Sequence, residues 1–241
     1  ILISTDTIFG TIGGGNLEYL VIDEARRLID NNIANKVMNI PLGPGIGQCC
    51  GGYVQVKLSL HSNSKDALKD EYIVNNVKPN LYIFGSGHIG QALISKLENI
   101  NFNTFIIDSR EDYLKMTNIK DVNYLLSKKP WEIVSKLEDN SYFIVLTHSH
   151  DYDLKILNEI LKKNNTFVGL IGSLTKKKRF YKRLIDNGHN KSIVEKIECP
   201  IGIDIGNSKD PNEIAFSIIT RIISIKNSLK HLSNNKIKEV I

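Results

Sequence analysis

Hydrophobic positions along this chain follow two different rhythms. From residue 81 onward, short and nearly all-apolar runs recur at residues 81–84 (LYIF), 104–107 (TFII), 123–126 (NYLL), 142–146 (YFIVL) and 167–171 (FVGLI). Segments of helical period separate them, at residues 89–97, 131–137, 153–161 and 176–185. Strands buried on both faces and joined through helices predict a parallel sheet with right-handed crossovers. A last amphipathic helix is predicted over residues 211–229, with Pro211 near its first turn.

The first 60 residues read differently. Residues 8–12 predict a strand running into Gly13-Gly14-Gly15, and residues 17–29 an amphipathic helix. In that helix Leu17, Leu20, Val21, Ala25, Leu28 and Ile29 recur at helical spacing. Residues 36–40 and 53–60 predict strands joined by a loop over 41–52, and residues 61–79 lack a strong period and end at Pro79. The expected fold class is therefore α/β. A small N-terminal α+β domain over residues 1–60 and a linker over 61–79 precede a Rossmann-like, doubly wound parallel-sheet domain over 80–241.

Composition changes this picture little. Of 241 residues, 41% are hydrophobic and 24% charged, the profile of an ordinary soluble globular chain rather than a disordered or disulfide-built one. No apolar stretch approaches the roughly 20 residues of a membrane-spanning helix, and no secretory signal is recognisable. Three cysteines, two of them adjacent, fit a reducing, cytoplasmic setting. The chain begins at Ile1 without an initiator Met, and is read as the remainder of a longer protein. Charge is more informative. Residues 1–154 carry 14 Lys and Arg against 18 Asp and Glu, whereas residues 155–241 carry 17 against 8. A basic C-terminal third favours an anionic partner. Sparse aromatics and the lack of a nucleic-acid module argue against nucleic acid.

Five segments carry candidate chemistry. The first strand of the sheet runs into Gly85-Ser86-Gly87-His88-Ile89-Gly90, a G-x-G-x-x-G opening a helix. In that pattern Gly85 makes the tight turn, Gly87 lets backbone approach a phosphate, and Gly90 lets helix pack on strand. The second strand ends at Asp108, where an acid binds a ribose hydroxyl pair; Arg110 is placed to meet a phosphate instead. The fourth ends in THSHDYD, so in a sheet ordered 3-2-1-4-5 His88 and His148 face the switch-point crevice. A metal-hydrolase reading of His148, His150 and Asp151 lacks the final His of that signature, and helix capping is the alternative for His150 and Asp151.

The fifth strand ends in GSLTKKKR, where Ser173 or Thr175 caps a helix. Lysines at a helix N-terminus oppose its dipole, so this run suggests either an anionic ligand or a solvated basic face. Residues 200–206 (PIGIDIG) form a shaped loop in which Asp204 lies beside a site or makes a turn. The sharpest segment is GPGIGQCCGG, where Gln48, Cys49 and Cys50 sit among glycines. Adjacent cysteines seldom bond to each other, and an exposed mobile pair suits thiolate chemistry; burial as small hydrophobes is the alternative. Gly13, Gly14 and Gly15, followed by Asn16 and Glu18, form a second backbone-rich loop suited to an anion.

Together these motifs resemble the XdhC/CoxI family, accessory proteins of xanthine dehydrogenase and related molybdenum hydroxylases. The matching stretches are GTIGGGNLE, GQCCGG, YIFGSGHIGQAL, IDSR, TH, GLIGS and PIGIDIG, in the family's order along nearly the whole chain. The resemblance implies a maturation factor that binds the molybdenum cofactor (molybdopterin) and supports its sulfuration with a cysteine desulfurase. It also implies delivery of that cofactor to an apo xanthine dehydrogenase-type hydroxylase. Cys49 and Cys50 then become candidates for contacting molybdenum or receiving persulfide sulfur, as soft thiolates can. Gly85, Gly87 and Gly90 would cradle the cofactor's phosphate or nucleotide part. The alternative from another class is an NAD(P)-dependent oxidoreductase with His88 or His148 as acid/base. A homodimer is a further expectation.

Overall fold

A computed structural model describes residues 1–43, 52–67 and 78–238, the side chains of 230–238 excepted. The chain divides into two compact units, Ile1–Val77 and Lys78–Ile241.

In the first unit β1 (Leu2–Ile3) pairs antiparallel with β2 (Ile8–Phe9) across a turn that Ser4 Oγ ties to Asp6 and Thr7. The strand expected over residues 8–12 stops at Phe9. Gly10 turns the chain at φ +77°, and the Ile12 amide goes to the Glu18 side chain instead of a ladder. Helix α1 (Gly15–Asp30) buries Val21 and Leu28, seven residues apart on one face. Strands β3 (Asn35–Pro41) and β4 (Tyr53–Ser59) form an antiparallel hairpin in register from Asn35↔Ser59 to Pro41↔Tyr53. Exposure alternates residue by residue along β4, as expected of a strand with one face covered.

The second unit is a five-stranded parallel sheet. Its strands are β5 (Asn80–Phe84), β6 (Asn103–Asp108), β7 (Val122–Leu126), β8 (Ser141–Val145) and β9 (Asn165–Leu170), in the order β7-β6-β5-β8-β9. That is the 3-2-1-4-5 arrangement, with the switch point between β5 and β8. The helices are α2 (His88–Lys96), α3 (Glu111–Leu114), α4 (His150–Ile160), α5 (Leu174–Asp186), α6 (Lys191–Val194) and α7 (Pro211–Lys238).

Alternation along β5 explains why its run is wholly apolar. Leu81 and Ile83 enter a core layer with Leu93, Ile94, Ile218 and Ile222 of α2 and α7. Tyr82 and Phe84 enter the opposite layer, with Leu157, Ile160, Phe180 and Leu184 of α4 and α5. At about 25 cal/mol per Å² of apolar surface, two such layers supply most of the drive to fold. One predicted helix is corrected. Residues 131–137 make only a 3₁₀ turn at Val134–Lys136, whose Val134 is buried while Trp131 packs edge-on against Tyr152. The apolar residues reach the core from a tight connection, so tertiary packing overrides the helical period. Among the described residues no helix is long and apolar enough to cross a membrane.

Candidate functional site

The carboxyl ends of β5 and β6 are built around one glycine turn. Gly85 has φ +118°, and a Cβ there would lie 2.4 Å from the Leu146 carbonyl oxygen. A Cβ on Gly90 would lie 2.1 Å from the Gly85 carbonyl oxygen. Both glycines are thus required by packing within the chain. Gly87 is different: a Cβ there meets nothing within 4 Å. Its bare backbone leaves open space beside the first turn of α2, which no side chain caps. Helix N-termini of this kind attract anions.

Buried Ser86 fastens this turn to the neighbouring loop. Its N–H donates to Asp108 Oδ2 at 2.7 Å and its Oγ to the Tyr113 carbonyl at 2.9 Å. Gln91 Nε2 donates to the same carbonyl at 2.7 Å and to Ser86 Oγ at 2.6 Å. Asp108 also accepts from the Arg110 N–H and Nε, each at 2.9 Å, and from Arg110 Nη2 at 2.8 Å. Burial alone would push this carboxyl up. The Arg110 guanidinium and the two backbone donors outweigh it and hold Asp108 below the usual carboxylate range. Arg110 itself lies 3.7 Å over the Tyr113 ring.

Beyond the switch point, β8 and β9 end in a second tied pair of loops. Asp153 in the first turn of α4 accepts from the Thr147 N–H at 3.0 Å and Thr147 Oγ1 at 2.7 Å. Lys176 Nζ reaches the same carboxylate at 2.7 Å and the Ile171 carbonyl at 2.8 Å. A Cβ on Gly172 would lie 2.4 Å from Lys176 Cδ, so this glycine gives the lysine stem its path. Ser173 caps α5, accepting from the Lys176 N–H at 3.3 Å. The basic run after the fifth strand thus has an internal anion for its first lysine.

The histidines stand apart from this network. His88 and His148 are exposed, and His148 packs edge-on against Tyr152. Arg179 Nη2 donates to His150 Nδ1 at 2.9 Å, and Lys155 pairs with Asp151 at 2.8 Å. No group of three or more His, Cys, Asp or Glu suited to a metal exists among the described residues. Asp204 is exposed and accepts from the Gly206 N–H at 2.9 Å, a local turn. Gly202 is a packing glycine, since a Cβ there would lie 2.2 Å from Ser217 Oγ of α7. Burial pushes the Cys199 thiol up, against thiolate chemistry.

In the first unit, the Gly13–Gly15 loop already holds an anion of its own. Glu18 accepts from the Thr11 hydroxyl, from the Ile12 N–H at 2.9 Å and from the Gly14 N–H at 3.2 Å. These donors, the Thr11 hydroxyl foremost, hold the Glu18 carboxyl below its usual range. Gln48, Cys49 and Cys50 lie outside the described residues. The sequence pattern singles out neither Gln91, Tyr113 and Asp153 nor the internal role of Lys176, and it presents Glu18 as a neighbour of the glycine loop rather than its occupant. The one available signal was a lysine opposing a helix dipole, which asks for a nearby carboxylate.

A family described as the XdhC Rossmann domain matches residues 81–222. The chain is 24% identical to protein YqeB of Escherichia coli strain K12 over 226 residues, 92% of this chain and 39% of that protein. It is 27% identical over 151 residues to a probable xanthine dehydrogenase subunit of Bacillus subtilis strain 168, 62% of this chain and 43% of that protein. The chain thus spans about two-fifths of the length of these curated relatives. A crystal structure described as a xanthine dehydrogenase from Bacillus halodurans matches with a TM-score of 0.76 at 19% identity, covering 92% of this chain and 84% of that one. At that identity the likeness establishes a shared fold.

Proposed function

The chain belongs to the XdhC family, and from that premise we propose that it is an accessory protein in the maturation of a xanthine dehydrogenase-type hydroxylase. It binds the molybdenum cofactor, supports its sulfuration together with a cysteine desulfurase, and delivers it to the apo-hydroxylase. The observation that carries this reading is a coincidence of spans: the family match covers the residues that build the crevice around β5, β6, β8 and β9.

The residues of the second unit fit the anionic part of such a ligand. Open space beside Gly87, the uncapped first turn of α2 and the guanidinium of Arg110 supply backbone donors and positive charge. They do not fit the metal, since the described residues present no donor cluster. In this reading, as the family resemblance implies, the soft ligands are Cys49 and Cys50, whose thiolates would contact molybdenum or carry persulfide sulfur. The cofactor, when bound, would supply the metal centre that is sulfurated. The second unit's own residues hold its phosphate end.

An NAD(P)-dependent oxidoreductase has less support. His88 and His148 are exposed, and neither bonds to a carboxylate among the described residues. The deciding experiment is anaerobic titration of the full-length protein with released molybdenum cofactor. Stoichiometric binding that weakens in the Cys49→Ser/Cys50→Ser variant, with reduced activation of the hydroxylase, is the expected result. Full binding and full activation by that variant would remove the thiols from the mechanism.

A further inference from the structure

The loop after the second strand is where Rossmann domains receive a ribose diol on a free carboxylate. In this chain that carboxylate is taken. The Asp108 side chain is 2% exposed, and its oxygens accept from four donors: the Ser86 N–H and the Arg110 N–H, Nε and Nη2. A carboxylate offers about four lone-pair sites, so none remains for a hydroxyl pair. Arg110 in turn commits Nε and Nη2 to Asp108 and stacks over Tyr113, while its side chain stays 29% exposed. Among the described residues Nη1 has no protein acceptor. No buried side-chain nitrogen lacks a partner there, so Nη1 is at the surface.

The charges around it point the same way. Lys128 Nζ approaches the Ser109 carbonyl at 3.3 Å, so the same loop holds a second cation, whose charge also acts on Glu111. The nearby Glu111 is paired with Lys115 at 2.6 Å. Ser86 and Gln91, by holding the Tyr113 carbonyl, fix the ring on which the guanidinium rests. A stacked and doubly hydrogen-bonded guanidinium loses little further freedom when an anion arrives, which favours binding.

We infer that Arg110 converts the ribose-reading end of this crevice into a phosphate-reading end. The ligand presents a phosphomonoester beside Arg110, and a ligand presenting a free 2′,3′-diol there is disfavoured. This rests on the crevice being the ligand site of the proposed maturation factor, and it specifies which chemistry that site selects. Two sources carry the required group: the pterin cofactor's own phosphate and the 2′-phosphate of NADP⁺.

The test is calorimetric titration of the full-length protein, anaerobically, with NAD⁺, NADP⁺ and released molybdenum cofactor as three separate probes. Phosphomonoester ligands should bind about tenfold or more tightly than NAD⁺, the scale of one charge-assisted contact. Arg110→Ala should remove that preference, and NAD⁺ should hold steady or gain, because Asp108 regains free lone pairs. Arg110→Lys keeps a counter-ion for Asp108 but has no second edge to offer, so it should fold normally and lose the preference too. NAD⁺ bound as tightly as NADP⁺ by the wild type, or a preference that survives both substitutions, would overturn the inference. Discrimination through Arg110 without any cofactor binding would defeat the maturation reading alone. Cofactor bound equally by wild type and Arg110→Ala would defeat the Arg110 inference alone.

Discussion

On one side of the switch point Asp108 meets Arg110, two residues along the same loop; on the other, Asp153 meets Lys176, 23 residues away on the next helix. Both carboxylates are buried at the carboxyl end of a parallel sheet, and both accept backbone N–H groups from the adjoining turn. Their cations differ. Lys176 is 9% exposed and bonds inward to Asp153 and the Ile171 carbonyl. Arg110 is 29% exposed and keeps one nitrogen for solvent or a ligand. An ammonium is a point charge that a single pocket can enclose, whereas a guanidinium has two edges and can serve protein and ligand together. The same ion-pair chemistry therefore closes one loop pair and leaves the other able to bind.

That contrast is broken most severely at Lys176. Lys176→Met leaves the Asp153 charge buried without its partner, a loss on the order of 3–5 kcal/mol. Adding Asp153→Asn to that variant should restore part of it, because the amide oxygen still accepts from Thr147 while the charge is gone. Urea unfolding of the two single variants and the double variant completes the cycle. A Lys176→Met protein within about 1 kcal/mol of wild type would show the pair to be structurally idle.

The glycine turn offers a second, smaller test within one motif. Gly90→Ala drives a Cβ against the Gly85 carbonyl, backbone that cannot swing aside, and should cost about 1–3 kcal/mol. Gly87→Ala meets open space and should cost less than about 1 kcal/mol, the penalty of alanine at an N-cap. Its effect should instead be on ligand affinity, since the methyl group occupies the approach to α2. Equal stability losses at both positions would erase the distinction between packing glycine and ligand glycine.

Much of this architecture was legible in the sequence because both faces of the sheet are covered. The LYIF, TFII and YFIVL runs have no polar face to blur them, and G-x-G-x-x-G marks the strand-to-helix turn with few alternatives. What stayed hidden were the long-range polar ties. Nothing near Asp153 in the sequence names Lys176 as its partner, and Asp108 reads as a free ribose acid until the guanidinium two residues on is seen folded back over it. The role of Glu18 was hidden for a related reason. A glycine run followed by an acid reads as an anion-binding loop, and only the folded chain shows that the acid is the anion.

Acid titration tests the open pair with a milder perturbation. Asp108 has its folded-state value lowered, so it contributes stability that is present above its ordinary value near pH 4 and lost as pH falls through the lowered one. Arg110→Ala removes the strongest lowering partner while burial still pushes upward. The variant should therefore be less stable than the wild type at pH 6, and the share of the acid-induced loss that Asp108 contributes should shrink, so that the two curves converge towards pH 2. Melting temperatures followed from pH 6 to pH 2 read this directly, and curves that coincide throughout would mean that the guanidinium does little for Asp108.

The smallest effect belongs to the pair that imitates these two at the surface. Asp151 and Lys155 lie one helical turn apart on α4, 2.8 Å between charges, with side chains 58% and 48% exposed. Asp151 also sits in the first turn, where the helix dipole favours an acid. Exposed i,i+4 pairs of this orientation contribute about 0.3–0.5 kcal/mol and are screened by salt. Asp151→Ala should therefore shift unfolding by no more than about 0.5 kcal/mol and leave affinity for every crevice ligand unchanged. The substitution also bears on the metal reading of the THSHDYD segment, because Asp151 is the carboxylate that reading requires. A loss of ligand affinity much larger than the loss of stability would put this acid back in the site, and the division between a closed pair, an open pair and a solvated one would have to be redrawn.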